Sequence, residues 1–301
     1  MAKYASLSPL IHNRILGKKK KLQSMGKLSS EKIKQIHERM RVDFVYNSNK
    51  MEGSTLTRGE TELILRGITV GKKSIQDALG GRDLGDILVA QNHSDAIELV
   101  KKLAFDKTSY ITEKNIKDIH GIVMKGVIVS AGEYRNYDLK VMGAGFTPPP
   151  FYNISKNMKE FVEMLNKNPD ELLPIELAAQ VHYDFVWIHP FEDGNGRMSR
   201  LLLNLILVRN GYPFAVIQSV DKKKYLKTLR QMDVKYEFEA FLTFIARCIE
   251  QTLDLYLYSG SKSREKLLPL SKLAKNTPHS AEYWSLLARK GRIDAIKEGK
   301  T

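Results

Sequence analysis

Apolar residues recur every three or four positions along most of the chain, a spacing that places them on one face of a helix. Ile33, Ile36, Met40 and Phe44 follow this spacing early in the chain. The run at 175–188 is apolar nearly all round, which is typical of a helix buried on every side. The pattern predicts about eight helices and an all-α main body.

The helical pattern breaks between residues 132 and 151. A short apolar alternation at 139–141 lies between Arg135 and three consecutive prolines at 148–150. Alternation bounded by glycine and proline is typical of strands joined by a turn. We therefore expect a small β-hairpin here, which would form a flap on the helical body.

Residues 259–301 differ in composition from the rest of the chain. The Ser-Gly-Ser-Lys-Ser segment at 259–263 is typical of a linker. Beyond it the pattern predicts two short helices, the second capped by Ser280, and then a strand at 293–296. With ten basic and four acidic residues, this segment is strongly positive.

Composition narrows the class of protein. The 301 residues are 43% hydrophobic and 27% charged, as in ordinary globular proteins. The single cysteine excludes an internal disulfide framework and favours a reducing, cytoplasmic compartment. No apolar run is long enough to cross a bilayer, so we expect no membrane partner. The net charge of +14 fits polyanionic partners and a merely solvated lysine surface about equally.

The most informative segment spans residues 189–200 and reads His-Pro-Phe-Glu-Asp-Gly-Asn-Gly-Arg-Met-Ser-Arg. Pro190 disfavours helix at the residue before it, so a helix should end there and present the His189 imidazole as a general base. Gly194-Asn195-Gly196 allows a sharp turn, and a helix starting just after it adds its positive N-terminal end. These elements predict a pocket for an anion such as phosphate.

Charged residues around this turn complete the predicted pocket. Arg197 and Arg200 are three positions apart and therefore share one helix face, where each can bind phosphate oxygens. Asp193 supplies a carboxylate for one Mg²⁺ shared with the ligand. These are the components of phosphoryl-type transfer from a nucleotide. His182 lies on the preceding helix and is expected to be a hydrogen-bonded core histidine.

At these residues the chain resembles the Fic family, whose motif His-x-Phe-x-(Asp/Glu)-Gly-Asn-Gly-Arg-x-x-Arg it matches without a departure. The resemblance implies the all-α Fic fold with the hairpin as flap, and AMP transfer from Mg-ATP to a Tyr, Ser or Thr hydroxyl of a target protein. It implies that His189 is the base and Asp193 the Mg²⁺ ligand. The implied ATP-binding residues are Gly194, Asn195, Gly196, Arg197, Met198, Ser199 and Arg200.

A second segment, Ser48-x-x-x-Glu52-Gly53, resembles the inhibitory motif of the same family. The resemblance implies that Glu52 pairs with Arg200 and occupies the place of the γ-phosphate. Its position ahead of the central motif is similar to the subgroup that carries its inhibitor at the N-terminal side. A solvated glutamate at a helix end is the alternative.

The resemblance also implies adenosine or flap contacts at Met142, Gly143, Tyr225, Leu226 and Asp233. Many relatives have a Tyr-Tyr pair and an Asn where this chain has Tyr225, Leu226 and Asp233. The expected base contact therefore departs from the family pattern at two of the three positions.

The tail resembles small helix-turn-helix and wing modules of the excisionase and regulator type. Arg289, Lys290 and Arg292 would lie near phosphates if its second helix entered the major groove of DNA. A basic interaction or dimerisation module is an equal alternative, and the family resemblance makes a homodimer plausible.

These observations predict three regions and one leading function. The regions are an N-terminal helical region with the inhibitory helix at 1–79, a Fic catalytic core at 80–258 and a helix-turn-helix-like module at 259–301. The predicted function is that of an autoinhibited protein adenylyltransferase, with ATP as substrate and Mg²⁺ as cofactor. The alternatives are removal of AMP from a modified target, a Doc-type phosphotransferase, and a nucleotide-sensing DNA-binding regulator.

Overall fold

The computed structural model describes residues 6–24, 30–67, 82–142, 144–235, 237–260, 269–289 and 293. Within these ranges the regular elements are helices. In chain order they are α1 (Pro9–Ser24), α2 (Ser30–Met51), α3 (Arg58–Leu65), α4 (Leu84–Phe105), α5 (Glu113–Val123), α6 (Ile154–Lys167), α7 (Pro174–Ile188), α8 (Asn195–Arg209), α9 (Lys222–Lys235), α10 (Phe238–Gly260), α11 (Leu270–Lys275) and α12 (Ala281–Arg289). Two single 3-10 turns, Phe151–Asn153 and Ser219–Asp221, precede α6 and α9.

Helices α7 and α8 form the centre of the molecule and make the most extensive contact between any two helices described. Most residues of both are buried, as the continuous apolar runs predict. Helix α4 packs against α8, and α10 packs against α1, α7 and α9. The loop at 189–194 therefore connects two helices that are held on several sides, which makes it a rigid place for a functional site.

Helix α2 belongs to the same hydrophobic core. Ile36, Met40, Phe44, Val45 and Met51 are all buried in the cluster that also contains α7 and α8. The C-terminal end of α2 is thus fixed by packing against the core. The predicted boundary at 79/80 falls in a range outside the described residues and stays a prediction. Helix α10 extends to Gly260, two residues beyond the predicted end of the core.

The predicted β-hairpin is wrong, because the described part of residues 132–151 contains no strand. The guanidinium of Arg135 turns inward and donates to the carbonyls of Tyr137 and Pro149, at 2.8 and 2.7 Å. Carbonyls bound to a side chain do not pair with a partner strand, and the prolines at 148–150 have no N–H to donate. The flap is an irregular loop for these reasons.

The two short helices predicted in the tail exist as α11 and α12, and they contact each other. Trp284 Nε1 donates to Thr277 Oγ1 at 2.8 Å and joins the second helix to the turn before it. The predicted wing strand is not borne out in the described residues, where Ile293 is a bend; residues 294–296 lie outside them. Lys290 and Arg292 also lie outside the described residues. None of the described helices is both long and apolar enough to span a membrane.

Candidate active site

His189 follows the last residue of α7 in a left-handed conformation, with φ 49°. Its ring Nδ1 lies 3.0 Å from the carbonyl oxygen of Val186. Because a carbonyl can only accept, Nδ1 must carry the proton, and the lone pair of the imidazole is on Nε2. Burial lowers the pKa of His189, and the nearby charge of Arg135 lowers it further. The ring is thus neutral and able to accept a proton through Nε2.

Arg135 fixes the backbone at this histidine. Its Nε donates to the carbonyl of His189, and its backbone N–H donates to the carbonyl of Pro190, both at 2.9 Å. The side chain of Arg135 is fully buried. Sequence patterns give no sign of this role, because a buried arginine and a solvated one look alike in a loop that carries no periodicity.

The loop after His189 is held from inside. The Phe191 ring is buried and stacks on His120, with ring centroids 3.6 Å apart and planes at 3°. His120 Nδ1 accepts from Gly132 N–H at 2.9 Å, so its Nε2 is the protonated nitrogen and donates to the carbonyl of Asp193 at 3.0 Å. Asn195 closes the loop through two hydrogen bonds to the backbone of Phe191. Sequence patterns do not identify His120 either, because its partners lie far away along the chain.

Asp193 stands at the mouth of the site, with 60% of its side chain exposed. One carboxylate oxygen accepts from the N–H of Gly194 at 2.6 Å, and the other lies 3.2 Å from an Arg197 nitrogen. Gly194 has φ +78°, and a Cβ there would come within 2.9 Å of Met124 Sδ, so a glycine is required. No cluster of three His, Cys, Asp or Glu ligands occurs among the residues described. Mg²⁺ that keeps waters and shares substrate oxygens needs only one or two carboxylates, a requirement that Asp193 meets.

The N-terminus of α8 forms the predicted anion pocket. Gly196 is at its first turn, and Arg197 and Arg200 extend from the same helix, both nearly buried. Buried Nε of Arg197 has no hydrogen-bond partner within the described part of the chain. An unpaired buried donor beside a positive helix end suits a phosphate oxygen.

Two of the predicted ATP-binding residues are engaged elsewhere. The Met198 side chain is fully buried in the core, and its backbone N–H donates to the carbonyl of Gly194. Ser199 is also buried, and its hydroxyl contacts the carbonyl of Gly196 and the ring of His182. These two residues support the pocket from below and leave its opening to the groups around them.

Glu52 enters this pocket from the end of α2. Its Oε1 lies 2.5 Å from an Arg200 nitrogen, as the family resemblance implies. Ser48 completes the contact, because its hydroxyl and its carbonyl accept from Arg200 at 2.8 and 3.1 Å. Gly53, with φ +102°, turns the chain away directly afterwards. A Cβ at Gly196 would collide with Glu52 Oε1, so this glycine leaves room for the carboxylate.

The pKa of Glu52 reflects two opposing effects. Partial burial raises it, but the charge and hydrogen bond of Arg200, with smaller contributions from Arg197 and Lys222, lower it further, and the net change is downward. The carboxylate is therefore charged at neutral pH. A carboxylate held by an arginine at a helix N-terminus occupies the position that an anionic ligand would take.

The expected adenosine contacts are arranged differently from one another. Tyr225 is buried with its hydroxyl 3.0 Å from His182 Nε2, whereas Leu226 is half-exposed. The two Asp233 oxygens accept from the Tyr183 hydroxyl at 2.9 Å and from Gly145 N–H at 3.2 Å. Met142 is almost fully exposed on the flap. The predicted contact Gly143 lies outside the described residues.

His182 is a core histidine, which confirms the prediction made for it. Its ring is fully buried, with Nε2 at 3.0 Å from the Tyr225 hydroxyl and at 3.2 Å from the Ser199 hydroxyl. Burial lowers its pKa to about 3, so the ring is neutral. It links α7, α8 and α9 beneath the pocket.

Comparison with known proteins identifies the source of this arrangement. The model of the Fic/DOC family matches residues 110–207. A protein adenylyltransferase Fic from Nematostella vectensis is 35% identical over 217 residues, which are 71% of this chain and 48% of that protein. The corresponding protein from Aedes aegypti is 32% identical over 276 residues, 89% of this chain and 52% of that protein. The chain spans about half the length of these curated relatives.

Solved structures give the same result at the level of the fold. A Fic domain containing signaling protein from Bacteroides thetaiotaomicron superposes with a TM-score of 0.74 at 32% identity. The match covers 82% of this chain and 97% of that one. Fic-1 from C. elegans has a TM-score of 0.69 at 25% identity, with 82% and 72% covered. On the agreement of motif, fold and relatives, the chain belongs to the Fic/DOC family.

Proposed function

We propose that the chain is an autoinhibited protein adenylyltransferase, which transfers AMP from ATP to a Tyr, Ser or Thr hydroxyl of a target protein. The observation that carries the proposal is the tautomer of His189. The hydrogen bond from Nδ1 to Val186 leaves Nε2 as the proton acceptor, beside a pocket built for phosphate. The relatives named as adenylyltransferases support the choice of AMP as the transferred group.

The proposed reaction is a single displacement at the α-phosphorus of ATP. The target hydroxyl loses its proton to Nε2 of His189, and its oxygen forms a bond to the α-phosphorus. The bond from that phosphorus to the α–β bridging oxygen breaks, and pyrophosphate leaves with the electron pair. The imidazolium then releases its proton to solvent. Arg135, which fixes the His189 backbone, holds the base in place during these steps.

The phosphates of ATP would bind where the pocket now holds a carboxylate. The N–H groups at the start of α8, around Asn195 and Gly196, would donate to phosphate oxygens. Arg197 has a free Nε–H and can orient the terminal phosphates. Asp193 would hold Mg²⁺, which when bound supplies positive charge that offsets the charge of the phosphates.

Autoinhibition follows from competition for Arg200. Glu52 holds one nitrogen of Arg200 at 2.5 Å, and Ser48 holds the others through its hydroxyl and carbonyl. A γ-phosphate cannot bind this guanidinium in the same place while the carboxylate is present. We infer that ATP binds productively only after the Glu52 side chain leaves the pocket.

The test uses ATP labelled on the α- or the γ-phosphate with Mg²⁺ and three proteins: the parent, Glu52→Gly and His189→Ala. Protein-bound α-label should increase in the Glu52 variant and be absent from the His189 variant. Bound γ-label would instead indicate a Doc-type phosphotransferase. Equal labelling of parent and Glu52→Gly would contradict autoinhibition, and label that survives His189→Ala would contradict the assigned base.

The other sequence-based alternatives have their own measurements. Release of AMP from a pre-labelled protein, dependent on Glu52, would show removal of AMP. Duplex DNA binding by residues 259–301 should weaken steeply with salt if the tail contacts phosphates. DNA binding, a homodimer, the cytoplasmic location and the identity of the target protein stay predictions or open choices for these experiments.

A further inference from the structure

The outer surface of α9 concentrates positive charge. This helix contains six basic residues and one acidic residue, and we call the six the basic face of α9: Lys222, Lys223, Lys224, Lys227, Arg230 and Lys235. All six are exposed. Lys223 with Lys227 and Lys227 with Arg230 have the four- and three-residue spacings at which like charges on a helix repel each other.

The basic face differs from the other charged helices in its lack of carboxylate partners. In the described residues, cations of α1 to α6 and of α8 form ion pairs, such as Lys18 with Asp254 and Lys114 with Asp118. Within the same ranges, none of the six residues of the basic face lies within 4 Å of a carboxylate oxygen. Lys222 instead donates to a carbonyl, and Lys224 lies over the Phe244 ring. The excess charge of the chain is therefore unneutralised at this helix.

Helix α9 also forms one wall of the candidate active site. At its start, Lys222 donates to the carbonyl of Met51 at 2.5 Å, directly before Glu52. Near its end, Asp233 accepts from Gly145 of the flap. A Cβ on Gly145 would come within 3.0 Å of the Asp233 Cβ, so flap and helix are in close contact. The basic face thus begins beside the anion pocket and ends beside the flap.

Apolar side chains are interspersed with the positive charges. Leu226 and Val234 are 47% and 62% exposed, although both lie on a helix whose other face is buried. A surface that mixes cations with exposed aliphatic side chains suits a protein segment with acidic and apolar residues. A phosphate backbone would use the cations but would leave the aliphatic groups without a partner.

We propose that the basic face of α9 is a docking surface for an acidic segment of the protein substrate, next to the hydroxyl that is modified. The inference rests on the proposed function, since it assumes that a target protein approaches this site. Carboxylates of the partner would neutralise the unpaired cations and remove their mutual repulsion. The same charges would speed the encounter of an acidic target with the site.

The test measures binding without ATP, so that it does not depend on catalysis. The probe is a fluorescent, glutamate-rich peptide with one central tyrosine, compared with the same peptide in which glutamine replaces glutamate. The variant Lys223→Glu/Lys227→Glu reverses two exposed charges that contact none of the site residues. The control Lys20→Glu/Lys34→Glu makes the same change in net charge at exposed lysines of α1 and α2.

The parent should bind the glutamate peptide, and the α9 variant should bind it about tenfold more weakly, since each reversal replaces an attraction by a repulsion. The control variant and the glutamine peptide should show the effects of general charge only. Lys223→Gln/Lys227→Gln, which introduces no repulsion, should give an intermediate loss. Thermal melting of every variant checks that the fold is retained.

Three results would overturn the proposal. They are equal weakening by the control variant, equal affinity for the two peptides, and binding of a single-stranded oligonucleotide that depends on α9 while peptide binding does not. Failure of peptide binding together with normal α-label transfer in Glu52→Gly would reject the docking surface and leave the proposed function intact.

Discussion

Arg135 Nε donates to the carbonyl oxygen of His189 at 2.9 Å, from a side chain that is fully buried. The same guanidinium donates to the carbonyls of Tyr137 and Pro149. The only carboxylate paired with it in the described structure, that of Asp138, is 3.8 Å away and largely exposed. One arginine thus connects the flap to the backbone of the proposed base, and its geometry more than its charge pairing explains its burial.

Arg135→Gln should lower kcat by about a hundredfold, because a small displacement of the base is costly in an aligned displacement. It should also lower the free energy of unfolding by about 3 kcal/mol, because buried carbonyls lose their donors. Arg135→Lys should recover little, since one ammonium cannot reach three separate carbonyls.

A readout separates positioning from simple stability in these variants. The pKa of the His189 ring, followed by NMR, should be higher in Arg135→Gln than in Arg135→Lys, because only lysine keeps a positive charge nearby. Identical His189 pKa values and kcat values that track stability alone would contradict a positioning role.

The acid side of the pH profile should report the lowered pKa of His189. The base must be unprotonated to accept a proton, so activity is lost as pH falls through its pKa. Burial and Arg135 lower this pKa from the ordinary value of 6.5. The acid midpoint of kcat in the Glu52→Gly protein should therefore lie below pH 6.5. A midpoint above that value would contradict the buried, neutral ring.

The helices and the central motif were predictable from sequence because their signals are local. The apolar runs at 175–188 and 201–208 predict two buried helices, and both are central in the fold. Pro190 predicts the end of α7, and α7 does end at Ile188. The pairing of Glu52 with Arg200 followed from a family motif rather than from periodicity, because these residues are 148 positions apart.

The parts that sequence could not predict depend on contacts between distant segments. Residues 139–141 alternate like a strand, but Arg135 takes the carbonyls that a hairpin would need. Asp233 was expected at the adenosine, and the structure engages it with Tyr183 and Gly145. Nothing in the composition of α9 distinguishes its unpaired lysines from the paired lysine of α1. Such features are set by three-dimensional neighbours, which a single sequence does not display.

Glu52→Gln should separate charge from occupancy in the inhibitory contact. The amide oxygen can still accept from Arg200 and still lies over Gly196, but the attraction between opposite charges is lost. We expect α-label incorporation between that of the parent and that of Glu52→Gly, with a lower KM for ATP than the parent. Incorporation equal to Glu52→Gly would show that charge alone inhibits. Incorporation equal to the parent would show that the space taken by the side chain is sufficient.

The buried histidines should make the fold sensitive to acid. Burial lowers the pKa of His120 to about 4 and that of His182 to about 3, whereas in the unfolded chain both titrate near 6.5. Between these values the unfolded state binds more protons, so the free energy of unfolding falls as pH decreases below 6.5. Each histidine contributes up to about 1.4 kcal/mol per pH unit over this range.

Urea unfolding of the parent and of His182→Phe at pH 7 and pH 5 measures this contribution. Phenylalanine keeps an aromatic ring in the core but cannot titrate. The variant should be less stable at pH 7, by about 1–3 kcal/mol, because the Tyr225 hydroxyl loses its acceptor. It should also lose less stability between pH 7 and pH 5 than the parent. An equal loss in both proteins would show that His182 is not the neutral, buried group that its contacts indicate.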